Sequence, residues 1–186
     1  IGGIAKGSGM IHPNMATMLV FITSDVAISP EMLQKALSND VQKSFNMVSV
    51  DGDTSTNDMV TVLANGMAEN DIISIEDDDY NTFCEALFAV TSYLCRSIAK
   101  DGEGATKLLE CKVAGAKDYD TARVVSKSVI TSSLFKAAMF GADANWGRVL
   151  CAIGYRCICC VVQVLCGACC LHELDITLCT CILNTV

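Results

Sequence analysis

A threonine hydroxyl in a glycine-rich segment is the first candidate for chemistry in this 186-residue sequence. Thr17 lies in K-G-S-G-M-I-H-P-N-M-A-T-M-L, and a Ser-His-Asp type of triad is unsupported because the only histidines are His12 and His172. A threonine carries its own base once it is chain-terminal, since an α-amino group has a pKa of about 7.7–8.0. That requires scission of the Ala16–Thr17 bond by an N-to-O acyl shift and hydrolysis of the resulting ester. Taken alone, a threonine before a strand is more often only a good β-former.

Two further polar motifs invite a functional interpretation. D-G-D-T-S-T-N-D at residues 51–58 has the composition of a metal or phosphate loop. Clustered Asp, Ser, Thr and Asn more often cap helices and build turns, so we assign Asn57 and Asp58 to supporting a nearby helix start. Trp146 and Arg148, in N-W-G-R, are interpreted as packing and helix-start residues.

Two other clusters are weak candidates for metal sites. The acidic run at residues 76–79 lacks the ligand spacing and turn glycine of a calcium loop, which favours a solvated loop before a helix. Cys166 and Cys169 form a C-x-x-C with His172 nearby, but a structural zinc site usually has two such pairs separated by a longer spacer. The sequence therefore predicts no metal.

The apolar pattern indicates which elements position these residues. Predicted strands are Met18–Thr23, Met47–Val50, Leu108–Ala114 and Leu134–Phe140; predicted helices are Pro30 to about Leu37 with Ser29 as N-cap, a segment before Gly66, Asp79–Ala99, Tyr119–Ile130 and Asn145–Gly154. Thr17 then lies where a loop meets a strand. Because strands and helices alternate, the predicted fold class is α/β.

Composition excludes several classes of function. With 13 Lys and Arg against 21 Asp and Glu, the net charge of -8 disfavours nucleic acid as a partner. The charge-free stretch at residues 157–171 is shorter than the roughly 18–20 residues of a membrane helix, and no basic segment followed by an apolar one opens the chain. We expect a cytoplasmic enzyme without a membrane segment.

Four ordered motifs together resemble the glutamate N-acetyltransferase (ornithine acetyltransferase) family over roughly residues 1–155. They are K-G-S-G-M-I-H-P-N-M-A-T-M-L, which is similar to that family's self-cleavage segment, V-D-G-D-T-S-T-N-D, D-G-E-G-A-T-K and F-G-A-D-A-N-W-G-R-V-L. The resemblance implies a layered sandwich of helices and β-sheets, as in self-processing acyltransferases with an N-terminal nucleophile.

The resemblance also implies roles for individual residues. Thr17 matches the nucleophile, which becomes acetylated, and Ala16–Thr17 matches the cleavage site. Lys6 matches a substrate-binding lysine suited to an α-carboxylate, and Glu103 a glutamate suited to the side-chain ammonium of ornithine. The implied substrates are N-acetylornithine and glutamate, with acetyl-CoA used by some members and no cofactor. The implied assembly is an α2β2 heterotetramer of α and β chains cut from one precursor.

The resemblance divides the chain into three parts: residues 1–16 as the end of the α chain, 17–155 as part of the β-chain catalytic domain, and 156–186 as a tail foreign to the family. Nine of the 12 cysteines lie between Cys151 and Cys181, which favours a shifted reading frame or a wrong gene model. The family's oxyanion-hole residues are expected upstream of this chain. Two alternatives stay open, namely a self-processing aminopeptidase or amidohydrolase of related fold, and a catalytically inactive fragment.

Overall fold

The computed structural model describes residues 1–7, 9, 11–12, 18–53, 56–156 and 181–184. Its elements are β1 (Gly2–Lys6), β2 (Leu19–Ser24), α1 (Pro30–Lys43), a 3-10 helix (Phe45–Met47), β3 (Met59–Ala64), α2 (Asp78–Lys100), β4 (Leu108–Cys111), α3 (Tyr119–Ile130), α4 (Ser133–Phe140), α5 (Trp146–Arg156) and β5 (Cys181–Asn184). Helices alternate with strands, which confirms the predicted α/β class.

The main sheet has the strand order β1-β2-β3. β1 is antiparallel to β2, whereas β3 is parallel to β2 and is connected to it through α1. A parallel neighbour requires such a crossover, because the chain must return to the same end of the sheet. β4 and β5 form a separate antiparallel pair, with Leu108 opposite Asn184.

Strand β2 sends alternate side chains to opposite faces of the main sheet. Val20 and Ile22 are fully buried and belong to the largest core cluster, which also contains Phe45 and Leu87. β1 and α2 pack against each other on this inner face. Full burial of one such apolar side chain stabilises the fold by about 1.5–3 kcal/mol.

The opposite face of the main sheet, called here the outer face, carries exposed apolar side chains. Ile4 on β1, Phe21 on β2 and Leu63 on β3 are 71%, 41% and 60% exposed. The sheet register places Ile4 directly opposite Phe21. Exposed apolar side chains gathered on one sheet face are typical of a surface that another layer covers.

The two longest helices begin as their sequences predict. The Ser29 side chain accepts a hydrogen bond from the Met32 amide, with Pro30 at the first helical position, and α1 continues six residues beyond the predicted end. Asp77 caps α2 in the same way by accepting from the Tyr80 amide. The acidic run at residues 76–79 therefore leads into a helix, as predicted.

A buried carboxylate connects α1 to α2. Asp40 is 6% exposed and accepts hydrogen bonds from the hydroxyls of Ser44 and Thr91 at 2.9 and 3.1 Å. Burial raises the pKa of Asp40, and the two hydroxyl groups partly offset this. The network satisfies the carboxylate but leaves its negative charge poorly solvated.

The segment predicted as a helix before Gly66 is strand β3, so that prediction is wrong. Val60, Thr61 and Val62 are β-branched, and the six-residue strand pairs in parallel with β2. Its apolar positions are too few to distinguish a short helix from a strand by period. Gly66 does end the element, with a φ of 72° that favours glycine.

Two predicted strands are also wrong. Leu134–Phe140 lies in helix α4, where the Ser132 side chain accepts from the Phe135 amide and Ala, Leu, Lys and Met favour helix. The predicted strand Met47–Val50 begins in the 3-10 helix, and its apolar side chains are buried in the core. Burial explains their hydrophobicity without a strand.

The C-terminal helices form a smaller core. Val125 and Val129 of α3 pack with Ala152 and Ile153 of α5. The predicted bounds of α3 are confirmed, and β4 and α5 are found close to their predicted positions. None of the helices within the described residues combines the length and apolar character needed to span a membrane.

Candidate active site

The predicted nucleophile, Thr17, and its neighbour Ala16 lie outside the described residues, which include both flanks of their segment. On the downstream flank, Met18 is 2% exposed. Its amide donates a hydrogen bond to Oδ1 of Asp58, and its carbonyl accepts one from the Met59 amide at 2.7 Å. The residue that follows Thr17 is thus held on both sides of its backbone.

The upstream flank is held by the second motif. Ile11 is fully buried, and its amide donates to Oδ1 of Asp51 at 3.1 Å, while its carbonyl accepts from the Val50 amide at 2.5 Å. Next to it, Nδ1 of His12 lies 2.9 Å from the hydroxyl of Ser49. Residues 49–51 and Asp58 therefore hold both flanks of the candidate cleavage segment.

Lys6 ends strand β1 and is paired across the sheet with Leu19, the first residue of β2. Antiparallel partners have Cα atoms about 4.5–5.5 Å apart. Leu19 follows Thr17 by two residues, so the lysine is next to the strand that begins just after the candidate nucleophile in the sequence. Its side chain is exposed and therefore accessible to a ligand.

Glu103 lies against the same glycine-rich segment at Gly9. A methyl group at Gly9 would be 2.7 Å from Oε2 of Glu103 and 3.8 Å from Oδ2 of Asp51, so the glycine allows these carboxylates to approach the backbone. Glu103 is exposed and sits in a turn whose Gly104 has a φ of 71°. The fold thus brings two carboxylates to the glycine-rich segment.

Two lysines connect the remaining motifs, and the sequence interpretation did not single them out. Lys136 donates to the Val50 carbonyl at 2.8 Å; burial lowers its pKa, and the charge of Asp51 partly offsets this. Lys107 donates to the carbonyls of Met139 and Phe140 at the end of α4. Lys107 could have been found as the last residue of the third motif, whereas no spacing marks Lys136.

The sequence analysis predicted Asp58 near a helix start, and this prediction is wrong. Asp58 immediately precedes strand β3. Burial raises its pKa, and the hydrogen bond from the Met18 amide partly offsets the shift. Its Oδ1 accepts that hydrogen bond, whereas its Oδ2 is buried without a hydrogen-bond partner in the described part of the chain. A buried, unpartnered carboxylate oxygen is uncommon and calls for an explanation.

Trp146 and Arg148 open helix α5, as predicted, but their predicted packing role is wrong. Trp146 is 75% exposed, and Arg148 is also exposed. The Arg148 amide donates to the side chain of Asn145 at 3.3 Å. These residues therefore shape the start of the helix and leave their side chains on the surface.

No group of three or more His, Cys, Asp or Glu side chains in the described ranges is arranged to hold a metal ion. The C-x-x-C of Cys166 and Cys169, with His172, lies outside those ranges. Cys84, Cys95, Cys111 and Cys151 form no disulfide within the described part of the chain. Burial raises the pKa of the Cys95 thiol well above its ordinary value, which suits a core residue.

Comparison with known proteins places these features in a family. The chain is 58% identical over 155 residues to the arginine biosynthesis bifunctional protein ArgJ of Listeria monocytogenes, covering 83% of this chain and 39% of that protein. It is 60% identical to ArgJ 1 of Clostridium acetobutylicum, covering 83% and 38%. The chain thus spans about two fifths of the length of these relatives.

A solved structure agrees with the sequence comparison. The crystal structure of the arginine biosynthesis bifunctional protein ArgJ from Bacillus halodurans superposes with a TM-score of 0.71 at 50% identity, covering 73% of this chain and 64% of that one. The fold expected from the four motifs is therefore confirmed. The ArgJ family model matches residues 1–171, more than nine tenths of the sequence, and the chain belongs to the ArgJ family.

Proposed function

We propose that the protein containing this chain transfers the acetyl group of N-acetylornithine to glutamate, forming ornithine and N-acetylglutamate in arginine biosynthesis. Thr17 is the nucleophile and carries the acetyl group between the two half-reactions. The route needs no cofactor, and acetyl-CoA is a second donor to be tested. Family membership and the arrangement of charges around the cleavage segment support this proposal.

The observation that supports this proposal best is that a lysine and a glutamate of opposite charge lie near the same glycine-rich segment. Lys6 is paired with Leu19, and the Glu103 carboxylate lies against Gly9. N-acetylornithine carries a carboxylate and a side-chain ammonium, so one molecule can engage both kinds of group. Glutamate has a carboxylate for Lys6 but no side-chain ammonium for Glu103, and the two substrates therefore share only part of the site.

Self-cleavage produces the base for this chemistry. The Thr17 hydroxyl attacks the Ala16 carbonyl, the acyl group moves from nitrogen to oxygen, and water hydrolyses the ester. The new α-amino group of Thr17 then accepts the hydroxyl proton when N-acetylornithine is attacked. The anchored flanks at Ile11 and Met18 support this proposal, because a fixed geometry lowers the entropic barrier to attack on a neighbouring bond.

The remainder of the enzyme is proposed to cover the outer face of the main sheet. Ile4, Phe21 and Leu63 are exposed there, and the relatives contain more than twice the length of this chain. A second sheet on that face would complete the layered sandwich and bury these side chains. We further propose α and β chains from one precursor, an α2β2 assembly and a cytoplasmic location.

Expression of the complete gene tests the cleavage step. A second N-terminus beginning T-M-L-V-F is expected, and it should be lost in Thr17→Ala because the nucleophile is missing. Thr17→Ser retains a hydroxyl and is expected to cut more slowly. An uncut wild-type chain with full acetyltransferase activity would contradict the proposal.

Incubation with one substrate tests the acetyl-enzyme. N-acetylornithine alone should add one acetyl group to the fragment that begins at Thr17, detected by intact mass. Lys6→Ala and Glu103→Ala should chiefly weaken substrate binding. Acetylation that requires both substrates at once would rule out the covalent route, and unchanged kinetics in both variants would remove these residues from the site.

A further inference from the structure

The first step of self-cleavage lacks the base that serves the later steps. Before scission, the nitrogen of Thr17 is part of the Ala16–Thr17 amide and has no lone pair available to accept a proton. The α-amino group exists only as a product of the cut. A different group must therefore take the proton from the Thr17 hydroxyl in the intact precursor.

Asp58 has the properties of such a group. Its Oδ1 is fixed by the Met18 amide, and its Oδ2 is buried with no hydrogen-bond partner among the residues that the structure describes. The shift in the pKa of Asp58 has two causes, burial, which raises it, and the Met18 amide, which lowers it. No charged side chain in the described part of the chain contributes to the shift in this pKa.

Covalent geometry limits how far Thr17 can be from this carboxylate. Thr17 is bonded directly to Met18, so its hydroxyl oxygen lies within about 5 Å of the Met18 nitrogen in any rotamer. That nitrogen is the atom hydrogen-bonded to Asp58. The hydroxyl of Thr17 and the carboxylate of Asp58 are therefore neighbours by connectivity, through the Met18 amide that Asp58 binds.

We propose that Asp58 is the proton acceptor for self-cleavage, a role that rests on the proposed function of Thr17. As Oγ1 of Thr17 bonds to the Ala16 carbonyl carbon, its proton passes to Oδ2 of Asp58. When the bond between that carbon and the Thr17 nitrogen breaks, Asp58 returns the proton to the departing amine. The ester and the free amine form, and Asp58 ends as the carboxylate it was at the start.

His12 is the rival acceptor. Its Nδ1 lies 2.9 Å from the hydroxyl of Ser49, in the upstream flank of the same segment. An imidazole has an ordinary pKa of about 6.5 and is suited to proton transfer near neutral pH. Substitutions distinguish the two candidate proton acceptors. Asp58→Asn keeps an oxygen that accepts the Met18 amide but removes the carboxylate that would take the proton, whereas His12→Gln removes the imidazole.

The experiment follows scission of the precursor over time. The complete coding sequence is translated in a cell-free system with labelled methionine and translation is stopped. Aliquots are then diluted into buffers from about pH 3.5, below the ordinary pKa of an aspartate, to about pH 8. Asp58→Asn should cut about 100-fold more slowly than wild type or worse, the usual range for loss of general base catalysis. The matched control is Asp53→Asn, an exposed carboxylate of the same motif, which should cut at the wild-type rate.

The wild-type rate should fall as the pH falls, because protonated Asp58 cannot accept a proton. Asp58→Glu, which retains a carboxylate, should recover part of the rate. Folding of each variant is checked by circular dichroism and thermal melting. If Asp58→Asn does not fold, the profile of His12→Gln decides, because that variant lacks the rival acceptor; a rate independent of pH in His12→Gln overturns the proposal.

The remaining outcomes separate this proposal from the one it depends on. A wild-type precursor that never cuts refutes the function proposed for Thr17 and this role with it. A precursor that cuts normally in wild type and in Asp58→Asn leaves the nucleophile in place and refutes only Asp58. Loss of the rate in His12→Gln, with none in Asp58→Asn, assigns the proton to the histidine.

Discussion

Replacing Gly9 by alanine is expected to weaken the binding of N-acetylornithine while changing the affinity for glutamate little. The added methyl group would be 2.7 Å from Oε2 of Glu103, closer than non-bonded atoms tolerate, so the carboxylate must move. It is the end of a flexible, exposed side chain, and the movement itself costs little stability. The variant therefore displaces a proposed substrate contact without removing it.

The size of the effect follows from the interaction that is lost. A hydrogen bond between charged groups contributes about 1.5–3 kcal/mol. With each 1.4 kcal/mol equal to a factor of ten, KM for N-acetylornithine should rise about 10- to 100-fold. The side-chain ammonium is remote from the acetyl group that reacts, so the contact is equally strong in ground and transition states and kcat should stay nearly constant.

Steady-state kinetics of the complete, cleaved enzyme with each substrate varied in turn provide the assay. Glu103→Gln should raise the same KM, and the double variant should show less than the sum of the two effects, because both act on one contact. Gly2→Ala is the matched control, since a methyl group there meets nothing within 4 Å. Equal increases in KM for both substrates, or none in a folded Gly9→Ala, would refute the placement of Glu103 at the ammonium.

Three further predictions follow from other parts of the fold. Asp40→Asn should raise the melting temperature of the complete protein near pH 7.5 and not near pH 4. The pKa of Asp40 is raised in the folded state, so the wild-type protein loses stability as the pH rises through that pKa and the aspartate becomes charged. A difference in melting temperature between variant and wild type that does not depend on pH would contradict this. Lys136→Met removes the hydrogen bond to the Val50 carbonyl and should slow precursor scission about 10-fold, whereas the exposed Lys112→Met should not, as measured by pulse labelling. The 186-residue chain alone should lack acetyltransferase activity. Resequencing the transcript across the codons for residues 154–160 should reveal an inserted or deleted base. A transcript that confirms the cysteine-rich tail, together with an active 186-residue chain, would refute this prediction.

Elements whose signals are local could be predicted from the amino-acid sequence. Ser29 followed by Pro30 starts α1, and a long apolar stripe predicts α2, because capping and helical periodicity involve residues only a few positions apart. The family resemblance carried by the four motifs likewise predicted Lys6 and Glu103 as substrate-binding residues, from their order along the chain. None of these inferences needed a contact between distant segments.

Features that depend on contacts between distant segments could not be predicted in this way. Residues 59–64 form a strand because β2 offers a parallel partner, which no local pattern announces. Asp58 was interpreted as a helix-start residue, yet its carboxylate binds the Met18 amide 40 positions away and is partly buried there. Burial and hydrogen bonds between distant residues determine the protonation and partners of a carboxylate. The environment of Asp58 therefore depends on the fold, which brings residues 18 and 58 together.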